Sequence, residues 1–328
     1  MKVNEKMRVG IIGTGWIAEK AALTLQGMDT CVAYAVGSRT SSRGSEFAKC
    51  WNIPKAYGSY IDLINDPDVD LVYVGTPHSH HYDVTLEALH AGKACLVEKA
   101  FMANHRQATE IVELAHKKQV FLAEAIWTRY QPAVGIVRKL LSDGRIGIPR
   151  LITATLGYSM GNKPRIMLPE LCGGALLDLG VYALNFVRMF FDNDIIDIQS
   201  QCVKSPTDMD LTNAISLTLK GGLLANMQSS ACCVGDNIGV IAGTEGNLII
   251  DNINNPQVIR VNGPDRVFVE DIPVPLQITG YEYQFETCRQ CLLKGLLEPV
   301  EMPHEETLYI MKLMDGLRQQ WGVRYPMD

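Results

Sequence analysis

The stretch Arg8-Val9-Gly10-Ile11-Ile12-Gly13-Thr14-Gly15-Trp16-Ile17-Ala18 decides the fold. A short apolar run of strand type leads straight into Gly-x-Gly-x-x-Ala, and helix-forming residues follow. The first glycine permits a tight turn. The second lets the backbone approach a pyrophosphate, and the small Ala18 allows close packing of helix on strand. Amide groups at the start of the helix then face the phosphates. On its own the motif is weak; what raises it is the strand–turn–helix unit it opens.

Outward from this turn the pattern repeats. Apolar runs of strand length recur at 31–36, 70–75, 94–98 and 120–126, with helical stretches between most of them. Short apolar strands separated by helices imply a parallel sheet covered on both faces. The clearest helix follows Asn104, a good N-cap, and sets Ala108, Ile111, Val112 and Ala115 in one apolar stripe. Lys117 and Lys118 suit its negative end, and the helix before it stops at Ala91-Gly92.

The second half reads differently. Helices are expected at about Pro132–Leu141 and Gly174–Phe191. Eight β-type segments follow or flank them, at 151–158, 197–203, 214–220, 223–230, 237–243, 246–251, 257–261 and 267–272. Consecutive strands without crossover helices predict a mostly antiparallel sheet. Two helices, from about Tyr281 and His304, close the chain. The expected fold is therefore α/β plus α+β. A doubly wound Rossmann domain occupies 1–127. A mostly antiparallel, open-faced sheet domain for substrate binding and dimerisation occupies 128–328, with the boundary at Trp127–Gln131.

Composition narrows the function. The chain has 328 residues, 47% of them hydrophobic, and a formal net charge of −6, which argues against a general nucleic-acid binder. No apolar run approaches the roughly 18 residues of a membrane helix, and no cleavable leader is expected at the start. Nine cysteines, an odd number scattered from Cys31 to Cys291, read as reduced thiols. The expected location is the cytoplasm, with neither nucleic acid nor membrane as a partner.

The end of the second strand reads the adenosine ribose. An NAD-preferring site places a carboxylate there; this chain has Ser38-Arg39-Thr40-Ser41-Ser42-Arg43. A guanidinium binds a 2′-phosphate bidentately, so Ser38 and Arg39 predict NADP over NAD. The fourth strand ends Thr76-Pro77-His78-Ser79-His80-His81 and the fifth ends Glu98-Lys99-Ala100-Phe101. Ligands bind beyond the carboxyl ends of such strands, which aims Lys99 at the nicotinamide end of the crevice.

With these segments in hand, the chain resembles the Gfo/Idh/MocA oxidoreductases over essentially its whole length. The resemblance rests on GIIGTGW, on TP-x-x-x-H, on AGK-x-x-LVEK followed by Asn104, and on the closing YPM. EAIWTRYQPAV and GGALLDLGVY are similar to the branch of dimeric dihydrodiol dehydrogenases and NADP-dependent aldose dehydrogenases. The family's Glu-Lys-Pro falls on Glu98-Lys99-Ala100, with alanine replacing proline. Its Asp-x-x-x-His falls on Asp178 to Tyr182, with tyrosine replacing histidine as in that branch.

The resemblance implies hydride transfer between NADP and a secondary hydroxyl or carbonyl of a sugar, cyclic polyol or dihydrodiol. Lys99 and Tyr182 would relay the proton, and Asp178, on the same helix face as Tyr182, would orient substrate or lysine. Cofactor contacts are expected from Gly13, Gly15, Trp16, Ile17, Ser38, Arg39, Thr76, Pro77, His78, His81, Glu98 and Lys99. His78 lies where the family contacts the nicotinamide ribose, and His81 caps or lines the same loop. Trp127 and Arg129, at the expected junction, are candidates for the substrate cleft. A homodimer through the C-terminal sheet is implied. Rival readings are an NAD-preferring inositol or sugar dehydrogenase and a non-catalytic dinucleotide-sensing regulator.

Three clusters look like metal or redox sites and are read otherwise. His78, His80 and His81 lack an acidic ligand set, so no metal is expected. Cys288-x-x-Cys291 is a lone pair on a helix, read as ordinary thiols. Cys232-Cys233 is read as an adjacent pair in a strand, pointing to opposite faces.

Overall fold

The structure, a computed structural model, describes residues 5–328. Its contacts divide it into two compact units. The first holds residues up to Trp127 together with Gln277–Lys312 and Met327. The second holds Thr128–Leu276, Leu313–Pro326 and Asp328.

In the first unit six strands form one sheet: β1 (Met7–Ile12), β2 (Cys31–Gly37), β3 (Lys55–Tyr57), β4 (Leu71–Val74), β5 (Ala94–Glu98) and β6 (Leu122–Ala125). Their order is β3-β2-β1-β4-β5-β6, and every pairing is parallel. The order reverses between β1 and β4, which makes the ends of those two strands the switch point of a doubly wound sheet. β4, β5 and β6 are buried at every residue, as a sheet covered on both faces requires. Apolar periodicity misses β3, a three-residue edge strand that is only partly buried. Helices α1 (Trp16–Gln26), α2 (Ser41–Trp51), α3 (Tyr60–Ile64), α4 (His81–His90) and α5 (His105–Lys118) connect the strands. α5 starts where its cap predicts: Asn104 Oδ1 accepts from the Gln107 amide at 3.0 Å, and the stripe Ala108, Ile111, Val112, Ala115 is buried.

One wall of this core comes from far along the chain. The helix Glu282–Lys294 buries Phe285, Cys288 and Cys291 against Val9, Cys31 and Tyr73. Phe285 and Tyr73 meet ring to ring at 5.5 Å, and Thr30 donates to Glu286 at 2.6 Å.

In the second unit eight strands form the other sheet. They are β7 (Pro149–Gly157), β8 (Ile195–Lys204), β9 (Asp210–Leu219), β10 (Leu223–Ser230), β11 (Gly239–Gly243), β12 (Asn247–Ile250), β13 (Val258–Asn262) and β14 (Phe268–Pro273). The order is β14-β13-β12-β11-β7-β10-β9-β8. Only the central β7–β10 pair is parallel; the other pairings are antiparallel. β10 alternates cleanly, with Leu223, Ala225 and Met227 buried and Leu224, Asn226 and Gln228 exposed. Helices α6 (Pro132–Ser142), α7 (Pro164–Met167) and α8 (Val181–Arg188) belong to this unit, and α8 packs on β7 and β10. The chain closes with α9, the helix Glu282–Lys294 already described, and α10 (His304–Trp321).

Two expectations change. The helix expected at 174–191 is a π turn, Leu176–Gly180, running into α8; the Leu176 amide at its start donates to Asp210 Oδ2 at 2.7 Å. By length and mean hydropathy Pro169–Arg188 is long enough to cross a membrane, yet Glu170, Asp178 and Arg188 interrupt its apolar run and 89% of its apolar window is buried inside the protein. Cys232 and Cys233 lie beyond β10, exposed and outside any strand. The Cys232 amide donates to Ser230 Oγ at 3.1 Å, and Gly235 returns to Gly157 O at 3.0 Å, so the chain turns away from the ladder there.

Candidate active site

The glycine turn sits at the switch point. Gly13 has φ +110°, and its amide donates to Gly37 O at 3.0 Å. A Cβ on Gly13 would lie 2.7 Å from Gly75 O at the end of β4, so the close approach of the two strand ends requires glycine there. Gly15 is different. It caps α1, and a Cβ on it would meet no atom within 4 Å. Among the described residues, nothing crowds a side chain at 15. The open space before the helix amides is what a pyrophosphate needs. Trp16, 62% exposed, and the half-buried Ile17 follow on the first turn.

Beside this turn, β4 and β5 end together. Among the described residues, Thr76 Oγ1 and Ser79 Oγ are buried hydroxyl oxygens with no hydrogen-bond partner, which suits them to a bound group. His81 ties the two strand ends: Nε2 lies 2.9 Å from Thr76 O, and Nδ1 lies 3.1 Å from both Ala100 O and Phe101 O. Burial pushes its imidazole below the ordinary value, against three carbonyls that favour the charged form. His78 stands edge-on to it at 5.7 Å. Glu98 is buried and accepts from Tyr73 Oη at 2.5 Å, while Lys99 is partly exposed just past the strand. The Lys99–Ala100 peptide is cis and Ala100 is fully buried. At the end of β2, Ser38 is buried with its amide on Tyr57 O at 3.1 Å, and Arg39 is exposed. Among the described residues, no group of three or more His, Cys, Asp or Glu side chains is arranged to hold a metal.

Trp127 stacks face to face on Tyr281, with centroids 4.1 Å apart and planes within 11°. Sequence periodicity places a helix near Tyr281 but gives no sign of this partnership.

In the second unit, Asp178 lies in the π turn and Tyr182 in the first turn of α8; both are buried. Arg165 Nη1 donates to Asp178 Oδ1 at 2.5 Å. Arg129 is buried and gives its Nε to Asn185 Oδ1 at 2.5 Å. Asp210 caps the π turn from below, accepting from Leu176 N and from Asn213 Nδ2 at 2.9 Å. Burial pushes its carboxyl up to about 7, partly offset by those two hydrogen bonds. Arg165 and Asp210 escape sequence reasoning, because nothing local marks a side chain that pairs across 13 or 34 positions.

The turn at Gly13–Gly15, with free hydroxyls beside it and no acid after β2, fits a nicotinamide dinucleotide. It defines the class as an NAD(P)-dependent oxidoreductase built on a Rossmann unit. The chain belongs to the Gfo/Idh/MocA oxidoreductase family. The model of that family's NAD-binding Rossmann fold matches residues 7–125, and that of its C-terminal domain matches 135–249. Trans-1,2-dihydrobenzene-1,2-diol dehydrogenase of Xenopus tropicalis is 38% identical, with 97% of this chain and 98% of that protein covered. The enzyme of the same name from Danio rerio is 35% identical over 98% of this chain and 99% of its own. Among solved structures, a 3-ketoreductase from Actinomadura kijaniata in complex with NADP and TDP-benzene is 26% identical. It superposes with a TM-score of 0.85 over 96% of this chain and 98% of that one.

Proposed function

We propose that the protein transfers a hydride between NADP and a secondary hydroxyl or carbonyl of a sugar, cyclic polyol or dihydrodiol, with Lys99 and Tyr182 relaying the proton. The observation that carries this reading is the join of the β4 and β5 ends by His81, beside the glycine turn, with Lys99 one residue past a buried strand. The substrate class draws on the relatives, which are named for a dihydrodiol.

Oxidising a secondary alcohol removes a hydride and a proton. The nicotinamide, when bound, takes or gives the hydride. The chain's task is the proton: Lys99 and Tyr182 together carry it to and from the substrate oxygen. Asp178, one turn before Tyr182, orients the hydroxyl. The amides at the start of α1 would hold the pyrophosphate, and Thr76 and His78 would line the nicotinamide ribose. Arg39 would hold the 2′-phosphate, which would favour NADP over NAD.

Initial rates with NADP and NAD on trans-1,2-dihydrobenzene-1,2-diol and a panel of aldoses test the reading. Turnover with NADP is expected. Tight NADPH binding without turnover of any of them would favour a dinucleotide-sensing regulator instead.

The outer face of the eight-stranded sheet carries Leu151 and Leu224 among Thr153, Ser216 and Asn226, opposite the face that packs on α8. We read this mixed face as the seat of a second copy. Light scattering at micromolar concentration should give twice the 36.3 kDa chain mass; the single-chain mass would rule the dimer out.

A further inference from the structure

We infer that Arg165 is a positioning residue that holds Asp178 for the reaction. The inference rests on the reading above, in which Asp178 orients the substrate hydroxyl.

The Asp178 side chain is 3% exposed, and a carboxylate so far from water needs a partner. Arg165 Nη1 supplies one at 2.5 Å, from a side chain that is itself 45% exposed. This is not an ordinary surface pair, whose loss changes little. Removing the arginine takes a charged donor from a buried acid.

The arginine's own position is fixed by its neighbours. α7 begins with Pro164 at its first position, where the preset φ favours the turn. Ile166, next to Arg165, is fully buried. Its carbonyl accepts from the Gly174 amide at 2.9 Å, and a Cβ on Gly173 would lie 2.4 Å from that same oxygen. The backbone around Arg165 is thus locked against the residues that lead into the π turn. Arg165 Nη2 also rests 3.4 Å from Met160 Sδ.

The π turn is consequently gripped at two points. Asp210 takes the amide of Leu176 at its start, and Arg165 takes the carboxylate of Asp178 two residues later. The first grip sets the backbone. The second sets the direction of the one acidic side chain in the turn. A guanidinium does this with a planar fork, whereas an ammonium keeps the charge without the fork.

The test uses the full chain with NADP and trans-1,2-dihydrobenzene-1,2-diol, or whichever aldose is turned over. Arg165→Met, Arg165→Lys, Asp178→Asn and the Arg165→Met/Asp178→Asn double variant are compared. Arg165→Met should lower kcat by about 10- to 100-fold, the scale expected when a reacting geometry is displaced. NADPH affinity by fluorescence should stay that of the parent. Arg165→Lys should recover part of the rate, and the double variant should be no slower than Asp178→Asn alone, since both act through one carboxylate. Should Arg165→Met precipitate, Arg165→Gln carries the same comparison.

A crippled Asp178→Asn beside a fully active Arg165→Met overturns the inference and leaves the reading of Asp178 intact. A lowered unfolding midpoint with unchanged kcat in the arginine variants overturns it as well, because that is a purely structural role. Full activity in Asp178→Asn removes Asp178 from the reaction and takes the inference with it.

Discussion

The glycine turn and the π turn both present a short backbone segment at the end of an element, yet they are built by opposite means. At Gly13 and Gly15 the site depends on side chains that are missing: at 13 a Cβ would strike Gly75 O, and at 15 it would fill space that the protein leaves open. At Leu176–Gly180 it depends on side chains brought from elsewhere, Arg165 and Asp210, that pair with buried groups. A backbone site tolerates change around it and fails at one atom. A side-chain site fails wherever any partner in the set is lost.

The largest effect expected is on the proposed proton relay. Lys99→Met should cut turnover by about 100-fold or more, the range of general acid–base catalysis, with NADPH binding retained. Tyr182→Phe should cost a similar amount or less, and the double variant little more than the worse single one. Near-parent turnover in Lys99→Met would take the lysine out of the mechanism, and lost NADPH binding would make it a binding residue.

Within the glycine turn, the two positions should separate. Gly13→Ala should lose about 2–3 kcal/mol in urea unfolding, from a disallowed φ and a backbone clash. Gly15→Ala should leave the ligand-free stability within about 0.5 kcal/mol while weakening NADPH at least tenfold. Parent-like NADPH affinity in Gly15→Ala would move the pyrophosphate away from this turn.

Next in size is cofactor choice. NADPH should bind about 10- to 100-fold more tightly than NADH, the worth of a charge-assisted phosphate contact, and Arg39→Ala should erase most of the difference. Equal affinities in the parent protein would contradict the role given to Arg39.

The smallest effect concerns pH and the π turn. Burial raises the Asp210 carboxyl from its ordinary value to about 7. An acid raised on folding contributes stability that is complete below its unfolded pKa, roughly 3.9, and fades as pH climbs through the folded value. Asp210→Asn abolishes that dependence. The difference in melting temperature, variant minus parent, should therefore grow between pH 5 and pH 8. A difference that stays flat would mean that Asp210 does not titrate in this window.

These tests follow the line between what the sequence makes legible and what it hides. The parallel sheet, the glycine turn, the Asn104 cap and the mostly antiparallel second sheet are written in local spacing, because strand and helix periods are local. β3 is hidden because three residues carry no period. The grip of Asp210 on the π turn is hidden because the two sit 34 positions apart. Arg165 looks like any exposed arginine until its partner is known. The turn at Cys232-Cys233 is hidden for a related reason: the hydroxyl of Ser230 and the carbonyl of Gly157 end the strand, and hydrophobic alternation does not see either.

The helix Glu282–Lys294 has a consequence for how the protein is made. Thr30 waits for Glu286, 256 positions later, and Tyr73 waits for Phe285. At ordinary rates of synthesis, roughly 8–30 s pass between the emergence of Trp127 and that of this helix. Throughout that interval the finished strands have one apolar wall unsealed, and a holding chaperone has something to bind. For the same reason, a gene fragment ending at Trp127 should yield a sticky, poorly soluble product. Grafting this cofactor unit onto another partner requires that the late helix travel with it.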